Sequence, residues 1–359
     1  MSLKKLSQLL LTGMIALSVI SCKKDDDGTT TPSLDGYMRF SVPAYVKPGA
    51  TVTLTPKGVS HPDDKGIGYY WRVTPTMVKS DTTRFENGLD KSGNPSDGSF
   101  TFTFSDTLKT YTVGGYAFAK GYVTNSKEAH CTVVSGGANE SITNIGIDSS
   151  TPFEEVDGKK YYYTSVGNTD WMIQNMASNA AGAPYSNCTA MSDVFGRYYS
   201  YEEALTVCPE GWTLPTEEDW VSLAAAAGAE GEVTPFSNIS GIAAALMGNA
   251  YFNETRLWDY WPEVGDITNK SGMAIIPAGY AMLGDKNSSP KVDDFYDYNY
   301  PNAIFKGYME YAAFWTADTV ESEEGMAYYR YIIAKQPDLM IGKADTRSFG
   351  ASVRCIRKK

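Results

Sequence analysis

Residues 196–220 hold two helix starts separated by a rigid turn, and no other stretch constrains the fold as strongly. The run reads GRYYSYEEALTVCPEGWTLPTEEDW. Ser200 followed by Glu203 has the spacing of a capping box, and Thr216 followed by Asp219 repeats it. The predicted elements are a short helix over 201–207, a break over 208–211 and a second helix over 217–227 that Gly228 ends. Such a corner is typical of a scaffold rather than of a reactive site.

The composition indicates a β-containing, acidic protein. A chain of 359 residues with 42% hydrophobic residues is long enough for two domains, and its 33 glycines and 25 tyrosines disfavour a helical bundle. The net charge of −11 repels phosphate backbones, so we expect no nucleic-acid partner. His61 and His130 are the only histidines. A Ser-His-Asp, Cys-His or histidine-ligated zinc site is therefore excluded beyond residue 130.

The N-terminus has the pattern of an export signal. Lys4 and Lys5 precede an apolar run of about 12 residues, which is too short to span a bilayer. Residues 1–21 followed by Cys22 resemble a bacterial lipoprotein signal peptide, and this resemblance implies lipidation of Cys22. The alternative is an ordinary secretory signal in which Cys22 is incidental.

The polar residues 22–34 follow, and we interpret them as a flexible tether because they cannot bury enough surface to fold. Their acidic run resembles the surface-export signal of some Gram-negative lipoproteins. We expect an outer-membrane lipoprotein exposed at the cell surface and bound to the membrane through its lipid. The alternative is that the aspartates merely keep the tether solvated.

Residues 35–135 show short alternating strands separated by turn residues, with no helix signal. This pattern predicts a β-sandwich, with Trp71 in its core. The runs VKPGATVTLTPKG, YYWRV and SFTFTFSDTLKTYTVGGYAFAKGYVTN resemble the immunoglobulin-like PKD family. The resemblance implies a spacer or adhesive module without catalysis. We interpret His61 with Asp63 and Asp64 as part of a solvated turn rather than as a cation site.

Residues 140–359 begin with a predicted hairpin that turns at Asp157-Gly158. The two helices of the corner follow, then a long irregular region. The last four strands are predicted in SGMAIIPAGYAML, YAAFWTADT, AYYRYIIAK and FGASVRCIRK.

Six pieces of this region, in order, resemble the Fibrobacter succinogenes major paralogous domain, a family of bacterial surface proteins. They are DGKKYYYTSVGNTDWMIQNMA, the corner itself, SGMAIIPAGY, AAFWTADT, AYYRYI and SFGASVRCIRK. The resemblance implies a C-type-lectin-like α+β fold in which the first and last strands pair and a long loop region carries any binding. The expected fold is thus mainly β: an immunoglobulin-like sandwich followed by a lectin-like head. The family supplies no catalytic residue.

Four cysteines remain beyond Cys22, and an exported chain permits disulfides. The sequence alone leaves three complete pairings open. The lectin-like resemblance implies one bridge, between Cys208 and Cys355. Cys131 and Cys188 either pair across the domain boundary or stay reduced.

The region 249–300 interleaves aromatic and acidic residues, which suits a surface that binds a sugar or a protein. The alternative is that the rings form a small core for a long loop region. Calcium is a further candidate ligand in this region and at Gln336-Pro337-Asp338, but too few oxygens converge, so we predict no metal and no cofactor. The candidate ligand-binding residues are Trp258, Tyr260, Trp261, Asp293, Asp294, Tyr296, Asp297 and Tyr298.

The expected function is adhesion or recognition of a glycan or protein ligand through the loops of the head. A competing hypothesis is a structural subunit of a surface assembly, and the sequence does not decide the oligomeric state. A carboxylate-based glycoside hydrolase is the third hypothesis. No two carboxylates are fixed at a defined separation, so we do not expect an enzyme.

Overall fold

The structure is a computed structural model that describes residues 30–75, 83–87, 98–105, 110–134, 141–258, 265–288 and 295–359. Cys22, the signal segment 1–21 and the tether as far as residue 29 lie outside the described residues. Strands predominate in the described chain and helices are few, which confirms the prediction of a mainly β protein. None of the helices in these ranges is long and apolar enough to cross a membrane.

The N-terminal part, over its described ranges, is built from nine strands. Five of them form a sheet in the order β2-β9-β8-β5-β6, in which only β2 and β9 are parallel, and two further pairs are β3-β7 and β1-β4. The strands are β1 (Asp35–Arg39), β2 (Tyr45–Val46), β3 (Ala50–Leu54), β4 (Lys57–Ser60), β5 (Gly68–Pro75), β6 (Thr83–Asn87), β7 (Phe100–Phe104), β8 (Thr110–Phe118) and β9 (Asn125–Val133).

The inward residues of these sheets share one core. Leu54 of β3 and Phe104 of β7 are fully buried together with Trp71 of β5 and Val113 of β8. The Trp71 indole donates a hydrogen bond of 2.8 Å to the Gly98 carbonyl, so its only polar atom is satisfied. The prediction that Trp71 occupies the core is confirmed.

The described C-terminal part contains fifteen short strands. They form sheets in the orders β11-β12-β13-β24, β20-β21-β22 and β19-β18-β23, with small sheets β10-β16-β17 and β14-β15. The strands are β10 (Ile142–Thr143), β11 (Phe153–Val156), β12 (Lys159–Val166), β13 (Thr169–Met172), β14 (Ala183–Pro184), β15 (Arg197–Tyr198), β16 (Tyr251–Phe252), β17 (Thr255–Arg256), β18 (Tyr280–Met282), β19 (Ile304–Lys306), β20 (Tyr311–Thr319), β21 (Met326–Ile333), β22 (Met340–Asp345), β23 (Phe349–Gly350) and β24 (Ile356–Lys358).

Four short α-helices accompany these sheets in the described residues. Both predicted capping boxes are present, at Ser200 and at Thr216, because each hydroxyl and the acid three residues later bond reciprocally to the backbone. Gly228 ends the longest helix in the left-handed conformation, at φ 102°. The helices are α1 (Ser192–Phe195), α2 (Tyr201–Ala204), α3 (Glu217–Ala227) and α4 (Ala243–Leu246), and the 3-10 turns are Tyr185–Asn187 and Thr189–Met191.

Two predicted elements are shorter than expected. The helix predicted over 201–207 ends at Ala204. Its last turn tightens, because the Thr206 N–H bonds to the carbonyl three residues back. The second element is the strand predicted over 271–283, of which only β18 at Tyr280–Met282 is a strand. Pro277 has no N–H to give to a ladder, and Ala274 has a positive φ of 45° that interrupts an extended chain.

The corner 196–220 ties the first half of the C-terminal part to its last strand. Trp220 packs edge-on against Trp171 at 5.0 Å, and both are fully buried. Thr213 exchanges two backbone hydrogen bonds with Ile356. Cys208 and Cys355 form the expected disulfide. The last strand, β24, joins the N-terminal strands of this part, since it pairs with β13.

The other two cysteines of the described chain, Cys131 and Cys188, are reduced thiols. Cys131 lies in β9 and Cys188 lies between the two 3-10 turns, and both are buried. Burial, together with the neighbouring Cys188, raises the pKa of the Cys131 thiol to about 12. Cys131 therefore stays protonated and unreactive at neutral pH.

Candidate functional site

Two of the predicted ligand-binding residues lie in the interior. Trp258 has no exposed surface, and its indole donates to the Ile275 carbonyl at 2.8 Å. Asp297 is also fully buried. A side chain without exposed surface cannot stack on or bond to a ligand from solvent. The expectation for these two residues is therefore corrected, and the alternative of a small loop core holds for them.

Asp297 is buried because it neutralises Arg197, which is itself only 1% exposed. The guanidinium also donates to the carbonyls of Ala181 and Gly182 at 2.7 and 3.0 Å. The Asp297 carboxylate additionally accepts from the Asn299 N–H at 2.9 Å. A carboxylate held by these bonds is structural, because releasing it would leave an unpaired buried charge.

Tyr296 and Tyr298 are half-buried, and their rings stack at 5.5 Å. Next to them, Phe295 packs against the core of the N-terminal part. This loop therefore contributes to the contact between the two parts of the chain. The other four candidates, Tyr260, Trp261, Asp293 and Asp294, lie outside the described residues.

A surface that the sequence analysis missed lies where two sheets meet. Tyr311 of β20 stacks on Tyr331 of β21 with centroids 5.0 Å apart, and Tyr331 stacks on Tyr329 at 5.3 Å. Tyr280 of β18 contacts Tyr311 at 5.1 Å. All four rings are half-buried. We call these rings, with Met282 and Ile304 beside them, the tyrosine surface.

Met282 and Ile304 extend this surface with aliphatic side chains. They are opposite each other on β18 and β19, and Met282 shares its strand face with Tyr280. Met282 is 37% exposed and Ile304 is 59% exposed. An exposed aliphatic pair next to a row of tyrosines is a contiguous patch, and such patches mark interaction sites more often than scattered apolar residues do.

Two glycines leave room for the tyrosines of this surface. A Cβ on Gly342 would come within 2.6 Å of the Tyr329 ring. A Cβ on Gly307 would come within 2.7 Å of Tyr311, and Gly307 has a positive φ of 70°. Burial raises the pKa of the Tyr311 and Tyr329 hydroxyls, so both remain neutral hydrogen-bonding groups at physiological pH. The sequence signal was the alternation of Tyr329 and Tyr331 along one strand face.

A pocket of about 380 Å³ lies on another side of the C-terminal part. The β11–β12 hairpin, helix α1 and the segments around Ile173 and Ile276 enclose it. At its edge the Asp193 carboxylate pairs with Lys159 and with Lys47 of the N-terminal part, each at 2.7 Å. Burial works against ionisation of Asp193, but the two ammonium groups outweigh it and hold its pKa below the usual range.

Of the candidate calcium sites, Gln336-Pro337-Asp338 lies within the described residues, whereas Asp293 and Asp294 of the region 249–300 do not. Over the described ranges no three His, Cys, Asp or Glu side chains are grouped to hold a metal ion. Asp338 of the Gln-Pro-Asp triplet accepts from the Ser240 hydroxyl and the Gly241 N–H at 2.9 Å each. It lies between β21 and β22, so the interpretation of this triplet as a hairpin turn is confirmed.

Comparison with known families finds one match. The model of the Fibrobacter succinogenes major domain matches residues 164–357, which is more than half of the chain. A search of curated proteins finds no match. The matched range includes the corner, the disulfide, the tyrosine surface and most of the pocket.

Proposed function

The chain belongs to the Fibrobacter succinogenes major domain family, and on this premise we propose that it is a surface-anchored lipoprotein whose head binds a protein or glycan ligand. The head is residues 140–359. The observation that supports this proposal is the tyrosine surface, with its four half-buried rings and two exposed aliphatic side chains. We assign contact with the ligand to this surface instead of to Trp258 and Asp297, which are buried.

The chemistry of this surface favours a protein over a glycan. The rings stack on one another, so neighbouring rings cover part of their faces, and the Tyr311 and Tyr329 hydroxyls lie 3.4 Å apart. A sugar needs an open ring face, whereas a protein partner packs against aliphatic side chains and bonds to tyrosine hydroxyls. Ile304, at 59% exposure, has the position of an anchor residue.

The proposed arrangement of the chain is a lipid on Cys22, a tether predicted over 22–34 whose last residue, Leu34, packs in the core of the next domain, an immunoglobulin-like stalk over 35–135 and a lectin-like head. The nine strands around Trp71 support an immunoglobulin-like sandwich. The pairing of β13 with β24 and the bridge between Cys208 and Cys355 support a lectin-like head. The proposed location is the outer face of the outer membrane of a Gram-negative bacterium. Protease shaving of intact cells tests it, since a protein facing the periplasm would survive.

The test of function compares two substitutions of similarly exposed side chains. Ile304→Asp places a charge in the tyrosine surface, and Leu205→Asp places one on a side chain that is 50% exposed outside it. A glycan array and a pull-down first identify the ligand. The Ile304 variant should then lose about tenfold in affinity, because a central anchor contributes more than about 1 kcal/mol, while the Leu205 variant binds normally. Equal affinities, or no ligand from either screen, would contradict the proposal.

A structural subunit of a surface assembly is the second candidate, because the same exposed patch suits contact with a neighbouring copy. Size-exclusion chromatography separates the two, since an assembly subunit elutes as an oligomer that Ile304→Asp dissociates. A glycoside hydrolase has less support: Asp297 is buried against Arg197 and is not free to act as an acid or a nucleophile. Turnover abolished by a carboxylate substitution within 254–297 would revive it.

A further inference from the structure

The pocket beside helix α1 contains a buried cation that has no counter-ion among the described residues. Arg354 lines it and is only 1% exposed. Two other arginines are buried as completely, and each has a carboxylate: Arg197 pairs with Asp297, and Arg330 pairs with Glu217. No carboxylate of the described chain lies within 4.0 Å of the Arg354 guanidinium. Because a buried charge is costly when unpaired, this exception calls for a function.

The hydrogen bonds of Arg354 leave one side of the guanidinium available. Its Nε donates to the Asn175 Oδ1 at 2.6 Å. Its Nη1 donates to the carbonyls of Met172 and Met273 at 3.1 and 2.9 Å. Its Nη2 donates to no residue that the structure describes. Three neutral acceptors orient the guanidinium without neutralising it. Burial lowers the pKa of Arg354 to about 9, which is above neutral pH, so the group remains charged.

The rest of the lining combines charged, polar and apolar side chains, with an excess of positive charge. Lys159 and Lys160 outnumber Asp193, which is already engaged by Lys159 and Lys47. Lys160 is exposed at the mouth, and its ammonium lies 4.3 Å from the centroid of the Phe153 ring. The walls include Ile142, Ile173 and Ile276. A positive pocket in a chain of net charge −11 selects its ligand by charge as well as by shape.

We propose that this pocket binds a small organic carboxylate with an apolar body. The carboxylate accepts from Nη2 of Arg354, and the body lies against the isoleucine walls. The Ser192 hydroxyl, which accepts from Arg197 at 3.2 Å and lines the same pocket, has its hydrogen available as a second donor. A volume of about 380 Å³ is at the lower end of the range for small-molecule sites, which restricts the ligand to a compact molecule.

The site is separate from the tyrosine surface, so the two proposals stand or fall independently. The pocket lies among β12, α1 and Arg354, whereas the tyrosine surface lies on β18 to β21. A variant of Ile304 should therefore leave the pocket unchanged.

The test compares two probes with the same apolar body on the full-length chain: 4-methylbenzoate, which carries a carboxylate, and the neutral 4-methylbenzyl alcohol. Calorimetric titration measures affinity, and the methyl resonances of Ile142, Ile173 and Ile276 locate the bound probe. We expect saturable binding of the carboxylate, about tenfold or more tighter than the alcohol, because a hydrogen bond to a charged group is worth at least that factor. Equal affinities, or binding that leaves these methyl groups unshifted, would overturn the proposal.

Two substitutions test the role of charge without relying on a buried residue. Lys160→Glu reverses the charge at the mouth and should weaken binding of 4-methylbenzoate several-fold but leave the alcohol unaffected. Lys120→Glu, at an exposed position of the N-terminal part, makes the same charge change and should have no effect. Arg354→Met should abolish the preference for the carboxylate if the variant folds, as its circular dichroism will show. If both lysine variants bind alike, the mouth charge does not act on the ligand and the proposal fails.

Discussion

The buried ion pair between Glu217 and Arg330 gives the sharpest test of how the C-terminal part is stabilised. Glu217 begins helix α3 and Arg330 lies in β21, and both are at most 1% exposed. The Arg330 Nε donates to the carboxylate at 2.9 Å, and Nη1 donates to the Ser237 carbonyl at 2.7 Å. The Phe236 N–H also donates to the carboxylate, at 3.0 Å. Helix, loop and sheet thus meet at one charge pair.

Glu217→Gln removes the negative charge and keeps the shape of the side chain. Arg330 is then left in the core with only neutral acceptors, and breaking a buried pair in this way costs about 3–5 kcal/mol. Urea unfolding followed by tryptophan fluorescence gives the change in the free energy of unfolding. Glu218→Gln is the matched control, because Glu218 is the exposed neighbour on the same helix turn and should change stability by less than about 0.5 kcal/mol.

The double variant Glu217→Leu with Arg330→Met separates the pair from its individual charges. If desolvation of an unpaired charge causes the loss, the double variant should be more stable than either single variant. A Glu217→Gln variant that loses less than about 1 kcal/mol, as a surface pair does, would refute the reasoning. A double variant whose loss equals the sum of the two single losses would refute it as well.

Three further predictions concern the disulfide, the ion pairs of Asp193 and the N-terminal cap of helix α3. Replacing both Cys208 and Cys355 by Ala should lower the free energy of unfolding by about 4–5 kcal/mol, because the bridge spans a sequence separation of 147 residues. Equal urea midpoints for the wild type and this variant under oxidising conditions would contradict this. The pKa of Asp193 is lowered in the folded state, so its stabilising effect is present above its ordinary pKa of about 4 and is lost as pH falls through the folded value. The difference in unfolding free energy between the wild type and Asp193→Asn should therefore shrink in acid. A constant difference from pH 7 to 2 would argue against this. Thr216→Ala removes the cap of α3 and should cost about 1 kcal/mol in thermal unfolding, whereas Thr216→Ser should cost much less.

Local patterns predicted much of the fold. The capping boxes at Ser200 and Thr216 and the turn at Asp157-Gly158 depend on residues a few positions apart, so the sequence is sufficient to place them. The run YAAFWTADT was predicted as a strand, and it forms β20 at Tyr311–Thr319. The family resemblance supplied the pairing of Cys208 with Cys355, which separation along the chain would not have shown.

The candidate site was less predictable, because burial is decided by contacts between distant residues. Asp297 is a good surface residue by composition, yet Arg197, 100 residues earlier, holds it inside. Trp258 is in the interior because the Ile275 carbonyl accepts its N–H there. Neither partner can be identified from the neighbouring sequence.

The sequence by itself determined the order of elements, the corner at 196–220 and the family, because these depend on local spacing and on short motifs. Only the tertiary structure decided which aromatic residues reach solvent and which buried arginine has no carboxylate partner in the described part of the chain. Tyr311, Tyr329 and Tyr331 come together through strand pairing and the room left at Gly342. Arg354 lies in the wall of a pocket because the elements around it come from five separate stretches of the chain. Long-range packing sets both features, and local sequence does not encode them.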